Sequence, residues 1–232
     1  MYSVYTLMYT SFTWDVNTVY TDAMIKLLSI MSEIKKAYHH GDLRDALLEA
    51  GERMLEREGP AGLSLRKLGR ELGVTPGAPY RHFEDKDALL ASLAAVGYRR
   101  LFREMQRDIE SITDGEEQLK RTGVGYLRFA TAQPELFRLM FGWTPTVEDE
   151  ELHEAAEAAH LAFEGILRNC EAQGRLRLPL DEAGLMAWSA VHGAAFLLID
   201  GRLKLDIESQ NAECVLEHLH KGIWYGIGIP ND

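Results

Sequence analysis

Between Leu63 and Phe83 the chain carries Arg66, Lys67, Arg70 and Arg81 against one acid, Glu71, a local charge of +3 in a protein whose net charge is −11. The same stretch offers the hydroxyls of Ser64, Thr75 and Tyr80 and the imidazole of His82. Cations, hydroxyls and imidazoles of this kind grip phosphate oxygens, and a guanidinium can donate bidentately to guanine in the major groove. The chemistry on offer is DNA recognition. It requires two short helices crossing steeply at a tight turn, with small residues where the backbones approach, and Gly69 and Gly73 meet that need. Thr75-Pro76-Gly77-Ala78-Pro79-Tyr80-Arg81-His82-Phe83 has the composition of the second, groove-reading helix.

The distribution of charge matters more than its sum. Residues 35–108 hold 14 Lys+Arg and 12 Asp+Glu, whereas the rest of the chain holds 11 and 24. The acidity therefore lies outside the segment that would meet an anionic duplex. A hydrophobic fraction of 46% and a charged fraction of 26% over 232 residues are ordinary globular values and argue against long disorder. No run of about eighteen apolar residues and no basic, apolar leader is evident, so no membrane span or signal peptide is expected. Cys170 and Cys214 lack metal or redox spacing and fit structural thiols in a reducing compartment, with the cytoplasm as the default.

The elements that position these groups all read as helical. Asp42 can cap a helix on which Leu43, Leu47, Ala50, Met54 and Leu55 recur at three and four, stopped by Gly59-Pro60. Ser64 can cap a second helix carrying Leu65, Leu68 and Leu72, with Gly73 as its left-handed end. Thr75 caps an expected third helix with Pro76 at its first position; Pro79 falls in the opening turn, where a helix tolerates it best. Asp85 caps a long fourth helix ending near Thr113-Asp114-Gly115. Further helices are expected over Glu116–Thr131, Pro134–Trp143, Glu148–Gln173, Asp181–Arg202 and Ser209–Tyr225. No strand alternation appears. The expected fold is all-α, about nine helices, with a three-helix helix-turn-helix domain (35–108) joined to a larger helical ligand-binding and dimerisation domain (109–228). Residues 1–34 form an extension of uncertain status, with Met31 an alternative start.

The string Leu63-Ser64-Leu65-Arg66-Lys67-Leu68-Gly69-Arg70-Glu71-Leu72-Gly73-Val74-Thr75, followed by Tyr80-Arg81-His82-Phe83 and Asp85-Lys86, resembles the TetR family of repressors over roughly Asp42 to Arg100. Gly69 stands where that family more often has alanine, and Thr75 where it often has serine. The resemblance implies that Ser64, Tyr80, His82 and Lys86 contact phosphates. Arg66 and Arg81 are the candidates for base edges, while Thr75, Pro76, Gly77 and Ala78 form the closely approaching surface. Tyr38-His39-His40-Gly41-Asp42-Leu43-Arg44 and Trp188-Ser189-Ala190-Val191-His192-Gly193 further resemble the subfamily with a C-terminal WHG domain. Lys35, Lys36, Tyr38, His39 and His40 could lie along phosphates or form a plain basic linker.

In the acidic half, Phe129, Phe137, Met140, Phe141, Trp143, Trp188, His192 and Phe196 supply aromatic and soft bulk that either lines a ligand pocket or fills an ordinary core. His192 either orients a ligand or bonds a neighbouring carbonyl. His153, Glu157 and His160 share a helix face, but the flanking Glu150, Glu151 and Glu154 make a solvated acidic face the simpler account, so no metal and no cofactor is expected. His218 and His220 diverge on a helix. The last two helices carry apolar surface that a two-fold partner would cover, so a homodimer on a near-palindromic operator is expected, with a small-molecule effector in the C-terminal half. No Gly-rich phosphate loop, Gly-x-Ser-x-Gly elbow or zinc motif speaks for catalysis, so a regulator rather than an enzyme is expected.

Overall fold

The computed structural model of the chain describes residues 43–203, except residue 147, and residues 212–228. The extension before residue 35, the Lys35–His40 arm, the Asp42 cap and the Ser209 start of the last expected helix lie outside them. Among the described residues eight α-helices run in order: α1 Leu43–Gly62, α2 Leu65–Glu71, α3 Lys86–Gln106, α4 Gly115–Ala132, α5 Pro134–Gly142, α6 Glu150–Ala172, α7 Leu180–Ile199 and α8 Ala212–Ile227. A three-residue 3-10 turn, Pro79–Arg81, sits between α2 and α3. Among the described residues the one β element is an isolated antiparallel bridge between Leu176 and Gly228. The fold is all-α.

Backbone contacts divide the described residues into two units. The first contains the chain up to Ala95 together with Phe141–Ala158; the second contains Val96–Met140 and the chain from Ala159 onward. This differs from a single cut after residue 108. The division falls inside α3, α5 and α6, continuous helices that no composition shift interrupts, so the boundary leaves no linker-like mark in the sequence.

In the first unit, α1 buries Leu47, Ala50, Met54 and Leu55, the face spaced at three and four. Each large apolar side chain removed from water contributes ~1.5–3 kcal/mol before entropy is set against it. Gly59, at φ 67 and ψ 178, breaks the helix where expected, and Pro60 opens a last helical turn to Gly62. Helix α2 closes on Gly73 at φ 69, with Val74 N–H donating to Gly69 O (2.9 Å) and Gly73 N–H to Arg70 O (3.2 Å). That pair of bonds satisfies two carbonyls the helix end would otherwise leave open. The Asp85 carboxylate accepts from Ala88 N–H at 2.9 Å, as a cap should.

Two local expectations need correction. Ser64 occupies the N-cap position with extended backbone (φ −154, ψ 123), but its side chain makes no capping hydrogen bond. The third, groove-reading helix is not an α-helix. Residues 75–83 form a turn closed by Ala78 N–H on Thr75 O (3.0 Å), then the 3-10 turn, with both His82 and Phe83 N–H on Pro79 O at 3.0 Å. Pro76 and Pro79 remove two donors from a nine-residue stretch, and a proline ring obstructs the carbonyl four residues before it, so the tighter bonding pattern wins.

In the second unit, α4 is capped by Asp114, whose carboxylate accepts from Glu117 N–H at 2.9 Å. Gly125 lets α4 meet the end of α3: a Cβ there would sit 2.1 Å from the Glu104 carbonyl oxygen. Helix α3 ends at Gln106, short of the expected Thr113, and irregular turns fill the interval. Helices α4, α7 and α8 pack on one another. By length and hydropathy α7 would suffice to cross a bilayer, although it contains no unbroken apolar run of that length. Within the unit its inward face is small, Ala183, Ala187, Val191, Ala194 and Ala195, whereas Leu185, Met186 and Leu197 stay exposed.

Candidate nucleic-acid interface

The reading head is built by α2, the turn of residues 75–83 and the start of α3. Pro79 is buried and anchors the turn to α2: a Cβ on Gly69 would lie 3.1 Å from Pro79 Cγ. With Pro79 inward, its neighbours are turned out. Tyr80 is 45% exposed, and Thr75, Pro76, Gly77, Arg81 and His82 are all exposed, with Ala78 and Ser64 half-buried.

The cations of this surface fall into two groups. Lys67 donates to Glu58 Oε2 at 2.7 Å, and that hydrogen bond holds the exposed Glu58 carboxyl below its ordinary range. Arg57 pairs with Glu71 at 2.7 Å, so the only acid of the stretch is already neutralised. Lys86 donates to the Ala61 carbonyl at 3.1 Å, where it ties the start of α3 to the end of α1. Arg66, Arg70 and Arg81, by contrast, are exposed and make no side-chain hydrogen bond or ion pair among the described residues. Three guanidiniums without an internal partner, beside the Tyr80 hydroxyl and the His82 ring, form a surface suited to a polyanion. Arg70 was not among the residues expected to touch DNA. Its spacing of four from Arg66 on α2 is the signal that could have found it.

Of the expected ligand residues, Phe129, Phe137, Met140, Trp188, His192 and Phe196 lie in the second unit. Phe137 packs edge-on against Phe196 (centroids 5.3 Å apart) and against Tyr126 (5.6 Å), with Phe129 at 6.4 Å. His192 stacks on Trp188 at 5.1 Å and meets Phe196 at 5.0 Å. Tyr126 Oη lies 2.7 Å from His192 Nδ1, and burial pushes the imidazole down to about 4, so it is neutral at pH 7. Phe129, Phe137 and Met140 are fully buried core residues, and the half-buried members are Trp188, His192 and Phe196. Phe141 and Trp143 belong to the first unit, because α5 ends at Gly142 and the chain that follows packs with the first helices. Tyr126 was missed: it sits three residues before Phe129 on α4 but finds its partner 66 residues away.

His153 lies 3.9 Å from Glu157 on α6. Among the described residues no group of three or more His, Cys, Asp or Glu side chains gathers into a metal-sized cluster. His218 Nδ1 meets the Cys214 carbonyl at 2.9 Å, while His220 turns to Glu116 at 3.2 Å, so the two diverge.

Comparison with known proteins matches residues 47–93 to the bacterial regulatory proteins of the tetR family and residues 119–220 to the tetracyclin repressor-like C-terminal domain. The nucleoid occlusion factor SlmA of Aliivibrio fischeri is 32% identical over 149 residues, 62% of this chain and 76% of that protein. The chain belongs to the TetR family. It is thus a DNA-binding transcriptional regulator, and residues 47–93 hold its helix-turn-helix. The C-terminal match is to a family other than the WHG type, which the short strings at 38–44 and 188–193 were too few to fix. A solved structure of a protein of unknown function from Rhodococcus sp. RHA1 shares 32% identity, covers 83% of this chain and 99% of its own, and superposes with a TM-score of 0.72. The TetR-family transcriptional regulator PfmR of Thermus thermophilus, at 22% identity over 80% of this chain and 99% of its own, shares the fold with a TM-score of 0.60.

Proposed function

We propose that the protein is a homodimeric, cytoplasmic repressor that holds a near-palindromic operator and releases it when a small effector binds the C-terminal half. It is not an enzyme. The observation that carries the reading is that Arg66, Arg70 and Arg81 are exposed and without side-chain partners among the described residues, in the stretch that also exposes Tyr80 and His82, while Lys67, Arg57 and Lys86 are engaged.

The dimer rests on α7 and α8. Leu185, Met186, Ser189, Gly193 and Leu197 recur at three and four along the exposed side of α7, and Gly193 has open space where a Cβ would stand. On α8, Tyr225 is 68% exposed and Gly222 is equally open. Apolar side chains flanking small residues let a second helix approach closely, and a two-fold pairing of α7 and α8 buries the patch. Two reading heads then reach half-sites about 34 Å or more apart. Trp188, His192 and Phe196, the half-buried part of the aromatic cluster, are the effector-facing candidates. An effector that favours the DNA-incompetent state by ~1–3 kcal/mol suffices for release.

The test is fluorescence anisotropy with duplexes from the protein's own promoter region over a salt series, with sedimentation to give the oligomeric state. Tight, salt-sensitive binding by a dimer is expected; a monomer, or affinity no better than for an unrelated duplex, sinks the reading. A second reading comes from the relatives named nucleoid occlusion factors. Chromosome-wide binding maps separate the two: one or a few promoter sites favour the repressor, and many dispersed sites without a promoter bias favour the other.

A further inference from the structure

We propose that Arg44 is a positioning residue for DNA reading, holding the 75–83 turn in its operator-competent form through the ring of Phe83 while Glu151 and Ser92 hold Arg44. The inference rests on the DNA-reading assignment of that turn. Arg44 lies in the first turn of α1, and its Nη2 donates to Glu151 Oε2 at 2.8 Å and to Ser92 Oγ at 3.2 Å. Its Cζ stands 5.5 Å from the centroid of the Phe83 ring. Phe83 is 3% exposed and is the last residue of the turn, its N–H bonded to Pro79 O. Ser92 is one of two buried polar side chains among the described residues, so a hydrogen bond from Arg44 answers a group that burial would otherwise leave costly.

A guanidinium can donate in its plane and present a face to a ring at once; an ammonium cannot do both. Arg44 thus links four elements of the first unit: α1, α3 through Ser92, the start of α6 through Glu151, and the reading turn through Phe83. The turn needs such an external hold. With Pro76 and Pro79 it has few bonds of its own, and an irregular segment without a helical ladder takes its shape from what packs against it. Arg44 is half-buried and its charge is paired with Glu151 at 2.8 Å, so the contribution assigned to it is to the shape of the reading surface and not to phosphate attraction.

The probe is a duplex enriched by the wild-type protein from a randomised library, compared with an unrelated duplex of equal length, by anisotropy across a salt series. Arg44→Ala is expected to lower the ratio of specific to non-specific affinity about tenfold, with an unchanged slope of log affinity against log salt. Arg44→Lys, which keeps a charge opposite Glu151 but loses the planar face, is expected to recover only part of the ratio. An unchanged ratio in Arg44→Ala overturns the proposal, and so does an equal loss on both duplexes with a shallower slope, which would make Arg44 a phosphate contact. Should Arg44→Ala lose its helical circular dichroism, Phe83→Leu with Arg44 intact decides: a lowered ratio supports the proposal and an unchanged one overturns it. If the wild type itself prefers no duplex, the DNA-reading assignment falls and takes this inference with it; a discriminating wild type matched by its variants removes the positioning role alone.

Discussion

Tyr126 and His192 meet at 2.7 Å between a phenolic oxygen and an imidazole nitrogen, joining α4 to α7 inside a cluster of aromatic rings. Burial holds His192 down to about 4 against an ordinary 6.5. Between those values the unfolded chain binds a proton that the folded one refuses. Folding stability contributed by the neutral ring is therefore complete above pH about 6.5 and is lost as pH falls through about 4. Urea midpoints measured from pH 7 to pH 4 should decline across that window in the wild type and decline less in His192→Gln. Parallel curves for the two proteins would show that this imidazole does not carry the loss.

Gly125 sits where α4 meets the backbone of α3, and a methyl group there would lie 2.1 Å from the Glu104 carbonyl oxygen and 3.0 Å from Met105 Cα. Backbone cannot swing aside as a side chain can, so the helices must part. Gly125→Ala should cost at least about 2 kcal/mol despite alanine's better helix propensity. Thermal unfolding followed by circular dichroism reads this directly, and a Tm equal to or above the wild type would contradict the contact. Gly142, which has open space at its Cβ position, is the control expected to tolerate alanine.

The two thiols should differ sharply. Cys170 is fully buried under Gly115, and burial, with the Asp114 carboxylate nearby, pushes its thiol up to about 11. A thiol reagent needs both access and thiolate, and Cys170 offers neither at pH 7 to 8. Cys214 is half-buried on α8. Titration of the native protein should count about one reactive thiol and the denatured protein two; two fast thiols in the native state would mean that the α4–α6 contact opens readily.

The helices were legible because each carried its own local evidence: apolar recurrence on α1, the carboxylate cap at Asp85, and the left-handed stop at Gly73. The reading head's chemistry was legible in composition, since Arg66 and Arg81 needed no partner to be recognised as exposed cations. Its backbone was not. Thr75 and Pro76 gave the start signals of an α-helix, and Pro79 outweighed them through a bond that no longer had a donor. The bond Lys86 makes was not legible: the carbonyl it serves, Ala61, lies 25 residues earlier, at a helix end whose open acceptors sequence spacing does not reveal. The same limit hid Tyr126 from the cluster and returned Phe141 and Trp143 to the first unit. Long-range pairings leave no periodic trace.

That contrast between free and engaged cations predicts the outcome of a substitution series on the reading head. Arg66 and Arg81 have no side-chain partner among the described residues, so alanine at either should leave the melting temperature within a degree or two, while weakening operator binding by ~1–3 kcal/mol. A base contact and a phosphate contact then separate by what else changes. Loss of a guanidinium on a base edge relaxes preference at one operator position and leaves the unrelated duplex nearly unaffected; loss of a phosphate contact weakens both duplexes and reduces the salt slope by about one. Arg66→Ala and Arg70→Ala are expected in the second class, because both lie on α2, which in such a motif crosses the backbone, while the following segment with Arg81 enters the groove. Lys86 should behave differently from all three. Its Nζ bonds the exposed Ala61 carbonyl, so Lys86→Met removes a surface hydrogen bond and lowers stability modestly, by ~0.5–1 kcal/mol, with a smaller loss of DNA affinity than Arg66→Ala or Arg81→Ala. Differential scanning calorimetry and anisotropy on the same four variants check the ordering. A Lys86→Met protein of wild-type stability that binds DNA worse than Arg81→Ala would reverse the assignment and make the lysine, not the arginine triad, the principal hold on the duplex.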